Sequence, residues 1–77
     1  MTTRERTLQA IGRRLKSWRQ DRKLSQYALA KGICTQASLS NYENGKRDMP
    51  VTTAVGLAKR LGVGLEELLN SRAADPA

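Results

Sequence analysis

The sequence predicts an all-α domain of five helices, and three observations carry that prediction. Apolar residues recur at steps of three and four along most of the chain, the period of a helix buried on one side. The periodic stretches are bounded by residues suited to helix ends: Thr2, Ser25 and Thr35 at starts, Gly32, Gly45 and Gly62 at stops. No stretch alternates with the two-residue period of a strand. The 77 residues make one domain, with residues 1–70 as the folded unit and 71–77, which lack periodicity, as a flexible tail.

Thr2 and Glu5 stand at capping-box spacing and open the first helix. Leu8, Ile11, Leu15 and Trp18 follow as one helical stripe, so this helix runs from about residue 4 to Arg22. Trp18 lies on the stripe and reads as core. Ser25 caps a second helix over Gln26–Lys31, with Leu29 and the small Ala30 turned inward, where a neighbour can cross closely. Gly32 stops it, Ile33 returns to the core, and Thr35 caps a third helix that ends at Gly45. Leu39 and Tyr42 are its inward residues. Helix, tight turn and helix within about twenty residues make a helix-turn-helix.

The loop Lys46-Arg47-Asp48-Met49-Pro50 leads to a fourth helix over Val51–Leu61, with Val51, Val55, Ala58 and Leu61 on one face. Gly56 weakens it slightly and Gly62 closes it. A short fifth helix fits Leu65–Asn70, with Leu65, Leu68 and Leu69 apolar and Glu66 and Glu67 in the first turn, where the helix dipole favours negative charge.

The formal charge is +7, unevenly placed. Residues 1–23 hold eight Lys/Arg against two acids, residues 24–47 three against one, and residues 48–77 three against four. A basic N-terminal two-thirds points to an anionic polymer docking on one side; a merely solvated surface and an anionic membrane surface are the alternatives. The membrane reading is disfavoured because the core needs the apolar stripes. No apolar run is long enough to span a bilayer and the N-terminus is too polar for a signal peptide, so a cytoplasmic protein is expected. Histidine is absent and Cys34 has no intrachain partner. The chain therefore lacks the groups for His-based catalysis and for the usual His-containing metal sites. No enzyme, cofactor, metal or small-molecule effector site is expected. Cys34 reads as a small buried hydrophobe, with a redox switch as the alternative.

The third helix holds the most informative surface. Gln36, Ala37, Ser40, Asn41 and Asn44 face outward, and the face they make carries hydrogen-bonding groups and no charge, which suits base edges in a DNA major groove.

An ordered set of residues resembles the lambda-repressor/Cro-like (XRE-type) helix-turn-helix domains. The set is Ile11-Gly12-Arg13-Arg14-Leu15, Trp18-Arg19, Leu24-Ser25-Gln26, Leu29-Ala30, and Gln36 through Arg47. Leu57-Ala58-Lys59-Arg60-Leu61-Gly62-Val63 and Leu65-Glu66-Glu67-Leu68-Leu69 complete it. The match covers roughly residues 8–70 and implies a compact five-helix lambda-repressor-like fold.

The resemblance further implies that Gln26 bonds the DNA backbone and braces the recognition helix. It implies that Thr35, Gln36, Ala37, Ser40 and Asn41 meet bases and nearby phosphates. Asn44, Lys46 and Arg47 match a loop that grips a phosphate strand. Arg19 and Glu43 match a buried ion pair between the first and third helices, which makes Glu43 structural. Three departures stand out. The turn Lys31-Gly32-Ile33-Cys34-Thr35 is one residue shorter than in many members and is similar to that of peptide-sensing Rgg/PlcR-type regulators. Ala37 cannot hydrogen-bond a base, although its methyl can meet a thymine methyl. Gly64 stands where a serine cap is common, which places the stability of the last helix in question.

These readings assemble into a sequence-specific double-stranded DNA-binding regulator, a repressor in most relatives. Lys46, Arg47, helix N-termini and Arg13 or Arg14 are the candidate phosphate contacts. Gln36 is the leading base reader, since its amide can pair bidentately with adenine. Asn41 is open between an adenine and a phosphate, and Ser40 between a base edge and no contact. Tyr27 is open between the DNA backbone and an idle surface position. A homodimer on a pseudo-palindromic operator is expected, since one short helix reads little alone. Its surface would be the fifth helix, with Leu68 or Leu69 partly exposed; the alternative is that both are core. The competing functions are an antitoxin, a protein-bridging factor, and the DNA-binding part of a larger sensor-regulator.

Overall fold

The computed structural model describes residues 2–69, and within them five helices and no strand are found: α1 (Thr3–Asp21), α2 (Gln26–Ala30), α3 (Gln36–Glu43), α4 (Val51–Leu61) and α5 (Leu65–Leu69). The expected tail and the last residue assigned to the fifth helix, Asn70, lie outside the described residues. Helix contacts close a ring: α3 packs on α1 and α2, α2 on α4, α4 on α5, and α5 back on α1. Inside the ring lie Leu15, Leu29, Ala30, Leu39, Tyr42, Ala54, Leu57, Ala58, Leu61 and Leu68, with Trp18, Ile33 and Cys34 half-buried against them.

The helix starts follow the side chains that cap them. Thr2 and Glu5 form the expected capping box: the Glu5 N–H donates to Thr2 Oγ1 at 3.2 Å and the Thr2 N–H to Glu5 Oε1 at 3.0 Å. The Thr2 N–H, helped by the Thr2 hydroxyl, holds the Glu5 carboxyl below the usual carboxylate range. Ser25 accepts from the Ala28 N–H and Thr35 from the Ser38 N–H, both at 3.0 Å. Gly64 supplies no side-chain cap, but its N–H donates to Glu67 Oε1 at 2.9 Å. Half of a capping box thus survives the missing serine, and α5 forms.

Three helices end in the same way. After α1, α3 and α4 the chain turns into left-handed backbone at Lys23 (φ 58°), Gly45 (φ 69°) and Gly62 (φ 75°). At each, paired N–H groups return to the last turn: Lys46 to Asn41 at 2.9 Å and Gly45 to Tyr42 at 3.1 Å, for example. Lys23 is the one non-glycine among the described residues to hold positive φ.

Gly12 decides how closely α1 and α3 approach. A Cβ there would lie 2.4 Å from the Tyr42 carbonyl oxygen and 2.5 Å from that of Glu43, both backbone atoms that cannot swing aside. Gly45 is pressed similarly against Gln9, whose Cα would lie 2.8 Å from an added Cβ. The recognition helix is therefore seated on α1 by backbone contact at its C-terminal end.

One expected core assignment is corrected. Val51 is 70% exposed; the buried residues of α4 are Ala54, Leu57, Ala58 and Leu61. Val51 shares their stripe but opens the helix, one turn before the first residue that reaches the core. Val55 is half-buried beside it.

Two stability measurements check these packing arguments. Gly12→Ala would stabilise an exposed helix by about 1 kcal/mol; here the clash should dominate and lower unfolding free energy by about 1–3 kcal/mol in a urea titration. A neutral or stabilising result would refute the close approach. Lys23→Gly removes the left-handed penalty, partly offset by a more flexible unfolded chain, and should raise stability by about 0.5–1 kcal/mol. A lowered midpoint would show that the Lys23 side chain contributes more than its backbone costs.

Candidate nucleic-acid interface

Thr35, Gln36, Ala37 and Asn44 are exposed, and Ser40 and Asn41 are half-buried. On α3, Gln36, Ala37, Ser40 and Asn41 lie on the side away from Leu39 and Tyr42, which enter the core, and Thr35 and Asn44 flank the helix as its caps. The hydroxyl of Thr35 both accepts from the Ser38 N–H and donates to Ser38 Oγ at 2.9 Å. Asn44 donates to Ser40 Oγ at a long 3.5 Å. Gln36 and Asn41 make no side-chain hydrogen bond among the described residues, so their amides keep full donor and acceptor capacity for a ligand.

Behind this face sits Glu43, its side chain only 2% exposed. Arg19 reaches it from α1 with two parallel bonds, Nε to Oε2 at 2.6 Å and Nη2 to Oε1 at 3.1 Å. Gln26 donates from α2 to Oε1 at 3.0 Å, and the remaining Arg19 nitrogen, Nη1, donates to the Leu24 carbonyl at 2.9 Å. One carboxylate thus joins three helices. Gln26 thereby commits its amide nitrogen to a residue of α3.

The flanking cations divide into two groups. Arg13, Lys16, Lys46 and Arg47 are exposed and have no ion-pair partner among the described residues. Arg14 departs from its expected role as a phosphate contact: it is only 9% exposed, and its Nη1 donates to the Leu68 carbonyl at 2.8 Å. Its place on α1 turns it under α5, away from solvent. Arg22 similarly donates to the Leu61 carbonyl at 2.5 Å. Of the eight Lys/Arg in residues 1–23, Arg14 and Arg19 are engaged inside the fold and the exposed Arg22 is held by the Leu61 carbonyl and Asp21, so the basic half offers less charge to a ligand than its composition implies.

Arg60, given no role by the sequence, completes the site's support. From α4 its Nη1 donates to the carbonyls of Ala28, Leu29 (3.1 Å) and Lys31, around the C-terminal end of α2. A cation there opposes the negative end of the helix dipole and holds the turn that leads into α3. Tyr27 is 60% exposed on α2, with Lys31 Nζ 6.0 Å from its ring centroid. Cys34 is half-buried in the turn, and burial pushes its thiol pKa up, opposite to the shift a reactive thiolate needs. No helix among the described residues is long and apolar enough to cross a membrane.

Comparison with known proteins agrees with this geometry. A model of the HTH_3 helix-turn-helix family matches residues 15–68. The chain is similar to the restriction-modification controller protein C.AhdI from Aeromonas hydrophila, at 29% identity and a TM-score of 0.76 over 79% of this chain and 94% of that one. It is similar to an HTH_3 family transcriptional regulator from Vibrio cholerae, at 27% identity and a TM-score of 0.81 over 96% of this chain and 40% of that one. PlcR from Bacillus thuringiensis, solved with the peptide PapR7 and DNA, matches at 27% identity and a TM-score of 0.76, over 78% of this chain and 21% of PlcR. The chain thus spans nearly the whole of C.AhdI and about a fifth of PlcR. A search of curated proteins found no match. The chain belongs to the HTH_3 (XRE-type, lambda repressor-like) family of helix-turn-helix DNA-binding transcriptional regulators, which is non-enzymatic.

Proposed function

We propose that this protein reads a specific double-stranded DNA operator by laying α3 in the major groove, and that it represses transcription as a homodimer on two half-sites. The observation that carries the reading is the pair of uncommitted amides, Gln36 and Asn41, on the outward face of a helix locked from behind by Glu43. Readers held on a rigid element impose geometry on the base edges they meet. Gln36 pairs bidentately with an adenine, Asn41 meets an adenine or a phosphate, and Ala37 offers a methyl to thymine. Ser40, half-buried and accepting from Asn44, contributes least to base choice.

Phosphate contacts supply position and affinity. Lys46 and Arg47 follow the turn that ends α3, Arg13 flanks them on α1, and Thr35, Asn44, Gln26 and Tyr27 offer polar groups toward the backbone. Arg14 is left out because it is buried. About three to five phosphates per monomer give a steep fall of affinity with salt. For the dimer, the support is on α5: Leu68 is fully buried whereas Leu69 is 43% exposed, an apolar contribution to a shared surface.

Selection from random-sequence duplex pools tests the reading. The intact protein should enrich a two-fold-related motif, and Gln36→Ala should relax it at one position per half-site, at a discrimination of about 1–3 kcal/mol. Enrichment of the same motif by both proteins would remove Gln36 from the readers. No enrichment by the intact protein would end the sequence-specific reading.

A further inference from the structure

Along α1, Arg6, Gln9, Arg13, Lys16 and Gln20 recur at steps of three and four and form a polar stripe without an acid. The middle of this stripe faces the end of the recognition helix. Gln9, Arg13 and Lys16 line an open groove whose other wall is Glu43 and Asn44. The one acid in the groove is already neutralised, because Arg19 grips both Glu43 oxygens from within the fold. Arg13 and Lys16 are exposed, without an ion-pair partner among the described residues. The groove also joins the loop already assigned to the backbone: Asn44 precedes Gly45-Lys46-Arg47, and Gly45 rests directly on the backbone of Gln9.

We propose that the groove between α1 and the C-terminal end of α3 is a second phosphate-binding site, in which Lys16 and Gln9 join Arg13 and Asn44 on DNA backbone phosphates next to those held by Lys46 and Arg47. The inference rests on the DNA-binding reading and extends its footprint across α1. Two like charges beside one groove repel each other unless an anion lies between them, so the groove favours an anionic occupant. Its length along α1 suits a run of phosphates rather than a single ion, since successive positions of the stripe lie about 5–6 Å apart. Gln9 contributes an amide donor that bonds a phosphate oxygen without adding charge. Lys16 acts on affinity and not on base choice, because phosphates carry no sequence information.

The test is the salt dependence of binding to a duplex of about 24 base pairs of arbitrary sequence, where counterion release dominates. Lys16→Gln should weaken binding about five-fold near 0.1 M salt and reduce the slope of log K against log salt by about 0.9. Gln9→Glu, which adds a negative charge to the groove, should weaken binding at least as much. Lys59→Gln, an exposed cation on α4 outside the groove, is the control and should leave the slope unchanged. Thermal melts establish that each variant is folded. Equal slopes for the intact protein and Lys16→Gln would overturn the second site while leaving DNA binding standing. An equal loss in Lys16→Gln and Lys59→Gln would overturn it in favour of diffuse net charge. Failure of the intact protein to bind any duplex would overturn both. Inorganic phosphate added at equal ionic strength should not displace the duplex; full displacement at millimolar phosphate would assign the groove to a free anion instead.

Discussion

A carboxylate removed from water inside a protein of net charge +7 needs a compensating arrangement, and the rest of this structure depends on how Glu43 obtains one. Arg19 supplies charge and two parallel bonds, and Gln26 supplies a third donor. Because the three groups come from α1, α3 and α2, satisfying one buried ion orients three helices at once. Desolvation makes such a pair a weak source of net stability. Its value lies in orientation: a helix rotated to show Glu43 to solvent would break three bonds, whereas a purely apolar seam tolerates sliding. Gly12 adds the steric half of the constraint by bringing the end of α3 onto the backbone of α1.

Arginine performs the same service elsewhere in the fold. Arg14 meets the Leu68 carbonyl at the end of α5, Arg22 the Leu61 carbonyl at the end of α4, and Arg60 the carbonyls ending α2. Each helix end holds orphan acceptors and a partial negative charge, and each arginine answers both from a neighbouring element. In a domain this small, with helices of five residues, α2 and α5 cannot rely on their own propensity. Tertiary caps take its place. The division of cations also shapes function, since the charges left at the surface concentrate on α1 and on the loop after α3, beside the uncharged reading face.

The helices were legible in the sequence because their determinants are local. Thr2, Ser25, Thr35, Gly45 and Gly62 mark ends through bonds that span a few residues, and the helix bounds follow from them. Leu39 and Tyr42 turned inward as their spacing required, which left the reading face of α3 outward. What stayed hidden depends on partners far along the chain. Arg14 is indistinguishable from Arg13 in a linear reading; the Leu68 carbonyl that separates them lies 54 residues away. The role of Arg60 depends on α4 lying against α2, and that of Gly12 on α3 lying against α1. Val51 shares the apolar face of α4 yet stays exposed, because periodicity gives the side of a helix and not how far along it the core extends.

Arg19 and Glu43 act as one unit, and a double-mutant cycle measures their coupling most directly. Unfolding free energies of Arg19→Gln, Glu43→Gln and the double variant would be compared with the intact protein by chemical denaturation. Each single change leaves a buried group without its counter-charge and should cost about 3–5 kcal/mol. The double change should cost far less than their sum, with a coupling energy above about 1.5 kcal/mol. Single effects that add to within about 0.5 kcal/mol would contradict the account, because independent residues could not hold the three helices in register.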